Sequence, residues 1–173
     1  MNQAHIHLIL NHFPIVGSLI GTALLIYGLL IKNNAVQKVS LIVIILMSII
    51  AIPVFLTGEP AEEAVENIQG INEGMIEEHE ESAEISFWIM MLTGGASIIA
   101  YALSARNRYS ANFMIKTTAV LGIASSIMMV RTGYLGGQIR HTEFNSVSEV
   151  TGEGENPTGN AGESNGTPEG SDD

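Results

Sequence analysis

The sequence predicts an all-α fold, a four-helix bundle spanning a membrane, with an acidic, partly helical loop and an acidic, disordered C-terminal tail outside it. Three observations carry that prediction. Residues 13–31, 39–57, 85–103 and 117–135 form four apolar runs, each near the ~20 residues that cross a ~30 Å hydrocarbon core. Charged residues make up only 14% of the 173-residue chain while hydrophobic ones make up 46%, against a usual charged share of about 25%. The charges are also segregated: of the 18 acidic residues none lies before Glu59 or between Glu84 and Glu143. The predicted division is a transmembrane domain over 1–142 and a tail over 143–173.

The first run follows a polar opening that holds His5, His7 and His12. It has no Lys or Arg ahead of it and no small-x-small cleavage site behind it, so it reads as a retained helix rather than a removed leader. The second run contains Leu41-Ile42-Val43-Ile44-Ile45-Leu46-Met47-Ser48-Ile49-Ile50. A helix in a soluble bundle keeps a polar stripe, and this stretch has none. Between these runs lie Lys32 and Lys38, and between the third and fourth lie Arg106, Arg108 and Lys116, with no acidic residue in either connection. Basic short loops stay in the cytoplasm. The expected setting is therefore a bacterial cytoplasmic (inner) membrane, crossed four times, with both termini outside.

The connection before the third run carries ten Glu and no Lys or Arg. Its start, residues 58–66, suits a short helix with Pro60 in the first turn and glutamates at the positive end of the dipole. Residues 72–81 then lead into the third run as helix. Gly17, Gly21 and Gly28, then Gly94 and Gly95, then Gly122, Gly133, Gly136 and Gly137 mark close helix contacts within the bundle or, through the same Gly-rich faces, a homo-oligomer. The tail from 145 onward is Gly, Asn, Ser, Thr, Glu and Pro, too polar to offset its ordering entropy.

The composition excludes several functions. Without cysteine there is no disulfide, thiolate metal site or cysteine nucleophile. Without a basic patch outside the loops there is no case for nucleic acid. His79-Glu80-Glu81-Ser82-Ala83 lacks the second histidine of a zinc-protease helix, and no serine sits in a nucleophile elbow. No catalytic activity of its own is expected.

What remains is the histidine set. His5, His7, His12, His79 and His141 all fall on the expected outer side. His7 and His12, five residues apart, point about 140° from one another on a regular helix, and His5 lies two turns from His12. One helix therefore cannot close a site. Ligands must come from different helices, as with a b-type haem held by one axial histidine from each of two helices, or with a mixed His/Glu metal site. Arg131, about one turn inside the fourth run, and Arg140 beyond it are placed to meet haem propionates or loop glutamates.

His7-x4-His12-Phe13-Pro14-Ile15, Thr57-Gly58-Glu59-Pro60-Ala61-Glu62, the His79-Glu80 pair and Gly133-Tyr134-Leu135-Gly136-Gly137-Gln138-Ile139-Arg140-His141 resemble, in order, blocks of the bacterial membrane family grouped as "domain of unknown function 2231". The resemblance covers about residues 5–142. It implies a four-helix membrane protein and leans toward redox partnership, without an established activity. The leading expectation is a small b-type cytochrome-like electron-transfer subunit. Its haem b lies near the outer face, with His12 and His79 as preferred axial ligands, His7 and His141 next, and Arg131 and Arg140 on the propionates. Its partner is a periplasmic cytochrome or a respiratory-complex subunit. One alternative is a periplasm-facing copper or iron site drawn from His5, His7, His12, His79 and His141. The other is a non-catalytic subunit or scaffold.

Overall fold

The computed structural model describes residues 3–60 and 73–152, and the side chains of 6–60, 74–107 and 109–139. The main helices are α1 (Gln3–Leu10), α2 (His12–Leu30), α3 (Asn34–Leu56), α4 (Glu73–Leu103) and α5 (Arg108–Gly152), and residues 58–60 are also helical. There is no strand among the described residues. Four segments are long and apolar enough to cross a membrane: Ile6–Leu30, Asn34–Leu56, Gly74–Leu103 and Tyr109–Ile139.

The helices overrun the apolar runs that predict them, because main-chain pairing does not stop where the side chains turn polar. α4 starts at Glu73, about three turns before the third run. α5 continues to Gly152, into the segment expected to be disordered from 143. The interval between Gly137 and Gly152 holds neither Gly nor Pro to break it. The short helix expected over 58–66 falls largely on 61–72, outside the described residues.

Local chemistry explains the breaks. α1 and α2 are nearly one rod, interrupted at Asn11, whose dihedrals are still helical (φ −60°, ψ −29°). Pro14 has no N–H for the Leu10 carbonyl and its ring crowds that oxygen. The α2–α3 turn is three residues long, Ile31 to Asn33. Lys32 takes a left-handed conformation (φ 53°). Its N–H bonds Leu29 O at 3.3 Å and that of Asn33 bonds Gly28 O at 2.9 Å, the paired closure of a Schellman motif. Asn33 then caps α3, its Oδ1 accepting from the N–H groups of Ala35 (2.9 Å) and Val36 (3.2 Å).

The four spanning helices form a closed ring. α2 packs on α3 and α5, and α4 packs on α3 and α5. The diagonal pairs are thus α2 with α4 and α3 with α5. Glycines set the seams. A Cβ on Gly21 would lie 2.9 Å from Ile44, one on Gly28 would lie 3.0 Å from the Gln37 main chain, and one on Gly17 would strike Met47, so α2 is pressed onto α3. Gly94 makes room for Ser48 between α3 and α4, and Gly122 for Thr22 between α2 and α5. These faces are used inside the chain.

The distribution of polarity is inverted relative to a water-soluble bundle. Ser18, Thr22, Ser40, Thr93, Ser97, Thr118 and Ser125 are buried, while Leu30, Val39, Ile49, Leu92, Phe113, Val120 and Ile127 are exposed. In water so much exposed aliphatic surface is a liability. In lipid, where apolar burial no longer drives association, small and hydroxyl residues inside permit close helix approach.

Candidate functional site at the histidine end

The ends of α1 and α4 carry the two histidines that the fold brings together. His7, half-buried on α1, donates from Nδ1 to the main-chain oxygen of Val54 at 3.0 Å, with Thr57 Oγ1 at 3.4 Å. That oxygen is open because it belongs to the last turn of α3, where carbonyls lack helical donors. Thr57 Oγ1 closes the same turn, donating to Pro53 O at 2.8 Å and Val54 O at 3.1 Å.

His79, half-buried on α4, donates from Nδ1 to the main-chain oxygen of Thr132 on α5 at 3.1 Å. The ring lies over Gly136, where a Cβ would come within 3.0 Å of His79 Cε1. Below it, Thr132 Oγ1 meets Ser82 Oγ at 2.8 Å and Ser86 Oγ at 2.7 Å, and reaches Ser82 O at 3.0 Å. His79, Ser82 and Ser86 recur at helical spacing on one face of α4, so a continuous polar strip of α4 is turned to Thr132.

A carbonyl oxygen only accepts, so each Nδ1 carries the proton and each Nε2 presents its lone pair. This is the arrangement in which imidazole serves as a ligand, its other nitrogen oriented by a backbone oxygen. His7 lies on α1 at the head of α2, and His79 lies on α4, which is diagonal to α2 in the bundle. One turn from His7, on the same face, Asn11 Oδ1 is buried without a hydrogen-bond partner among the described residues. An acceptor in that state costs about 1–3 kcal/mol, and bound water or a ligand is the usual remedy.

The other sequence-predicted residues sit apart. His12, the expected inward member, has an exposed side chain, as does its neighbour Phe13. His7 takes the inward place, because the break at Asn11 leaves α1 leaning on the end of α3. Arg131 bonds Glu78 at 3.1 Å, both side chains about half exposed, so a loop-side glutamate is its partner. His5, Arg140 and His141 have helical backbones, and their side chains lie outside the described residues. No group of three or more His, Asp or Glu able to hold a metal ion forms among the described residues. Sequence reasoning missed Thr132, Ser82 and Ser86, while Gly136 was marked only as a close helix contact. The spacing of His79, Ser82 and Ser86 was a readable signal, whereas the Thr132 carbonyl, a main-chain atom, had none.

No protein-family model, curated protein or solved structure matches this chain.

Proposed function

We propose that the protein is a small membrane electron-transfer subunit carrying a b-type haem at its histidine end, with His7 and His79 as axial ligands. The carrying observation is the pair of imidazoles, one on α1 at the head of α2 and one on α4, both held through Nδ1 to main-chain oxygens so that both Nε2 atoms present a lone pair. A haem would supply one-electron transfer there. The residues of this chain would orient it, with Thr57 and Thr132 fixing the ring planes. In this reading the resemblance to the "domain of unknown function 2231" family marks a shared histidine-end architecture. All five histidines belong to one side by the charge rule, so electrons would be exchanged at that side with a periplasmic cytochrome or a respiratory-complex subunit.

The test is the absorption spectrum of the purified protein. A reducible Soret band that is lost in His7→Ala and in His79→Ala but kept in His12→Ala supports the proposal. A band unchanged by both substitutions overturns it. A colourless protein with stoichiometric copper or iron points to the ion alternative, and one with neither points to the scaffold.

A further inference from the structure

The opposite end of the bundle has its own feature. Between the first turns of α3 and α5, closed by the α4–α5 turn, lies a cleft of about 50 Å³ lined by Asn34, Lys38, Ser104 and Asn112 over a floor of Leu41 and Ile115. By the space a buried water needs, that is room for about three or four waters, the bulk of one phosphate group. The main-chain donors of both helix starts are already taken, by Asn33 in α3 and by Asn107 in α5. What the cleft offers a ligand is therefore side chains: the Lys38 ammonium and the Asn34 and Asn112 amides.

The surrounding charge has one sign. Lys32, Lys38, Arg106, Arg108 and Lys116 belong to this end, and no Asp or Glu occurs between residues 1 and 58 or between 85 and 142. Among the described residues Lys38 has no ion-pair partner. Lys32 is held at φ 53°, where glycine would sit without strain. Flanking the cleft, Val39 and Phe113 are exposed apolar side chains and Tyr109 is an exposed aromatic at the helix start, a surface suited to acyl chains and the headgroup boundary.

We infer that this cleft binds the phosphate group of an anionic phospholipid, with Lys38 as the charge partner and Asn34 and Asn112 as hydrogen-bond donors. The inference holds for either orientation in the membrane and does not depend on the histidine end. Basic recesses between spanning helices recognise headgroups in this way.

The experiment is native mass spectrometry of the detergent-solubilised full chain incubated with phosphatidylglycerol or phosphatidylcholine. One phosphatidylglycerol is retained in preference to phosphatidylcholine, and Lys38→Gln lowers that retention about fivefold or more. Lys116→Gln removes the same charge from an exposed position outside the cleft and leaves retention within about twofold of wild type. Both lysines are exposed, so neither variant threatens folding. Equal loss in the two variants overturns the cleft in favour of diffuse charge attraction. Equal retention of the two lipids overturns the recognition of an anion. Displacement of the lipid by excess inorganic phosphate overturns the lipid assignment in favour of a soluble phosphate ion.

Discussion

His7 and His79 use the same ring nitrogen for the same kind of bond, yet the oxygens they meet differ. Val54 O is an open acceptor at a helix end, and His7 completes it. Thr132 O lies within α5, and His79 reaches it only because Gly136 has no side chain. Gly136→Ala places a methyl 3.0 Å from His79 Cε1, so the ring must give by a few tenths of an ångström, which lengthens its 3.1 Å bond to the Thr132 oxygen. The expected outcome is a loss of about 1 kcal/mol in thermal unfolding in detergent. A larger fractional loss is expected in any spectrum that depends on His79. Lys32 is a residue-scale contrast. A left-handed non-glycine residue costs about 1–2 kcal/mol, and glycine returns about 0.5–1 in unfolded-chain entropy. Lys32→Gly should therefore raise stability by up to about 1 kcal/mol, read as a higher melting temperature. The Arg131–Glu78 pair is half exposed, so Arg131→Gln should change stability by less than about 1 kcal/mol.

At the scale of elements, the α4–α5 seam is joined by a cluster of side-chain hydrogen bonds, while the α2–α3 seam is joined by shape and by one buried bond, from Gln37 Nε2 to Gly28 O at 2.9 Å. One hydroxyl, Thr132 Oγ1, contacts Ser82 Oγ, Ser86 Oγ and Ser82 O. Thr132→Val keeps the volume and leaves both serines without that partner, for an expected loss of about 1–3 kcal/mol. Ser97 is the control. It is fully buried, but its hydroxyl bonds only Thr93 O in its own helix at 2.8 Å. Ser97→Ala should cost less than half of that, because the carbonyl keeps its helical donor. Thermal unfolding of the two variants in the same detergent separates a hydroxyl that joins helices from one that only folds back.

The whole molecule is bipolar along the bundle axis: glutamates and histidines at one end, Lys32, Lys38 and Arg106 at the other. The charge rule orients such a bundle with its basic end in the cytoplasm. A periplasm-active reporter fused after residue 70 should be active and one fused after 107 silent. The reverse pattern would sink both the orientation and the expected redox partner.

Four apolar runs, the segregated charges and the glycine spacings are local properties, so the sequence by itself determined the number of spanning helices and the faces on which they pack. Residues 13–31 and 39–57 lie within a few residues of their helices at the ends away from the histidines, because a loop of three residues leaves no freedom there. The helices that run beyond the membrane were less legible. Hydropathy marks the lipid boundary, whereas α4 and α5 continue on one another outside it. The histidine site was legible only as a set. Which member turns inward depended on the break that Pro14 makes at Asn11 and on two main-chain oxygens, Val54 O and Thr132 O, each more than 45 residues distant from its histidine. Main-chain oxygens have no residue type, so only the tertiary structure decided that His7 is half-buried against Val54 O while His12 is exposed.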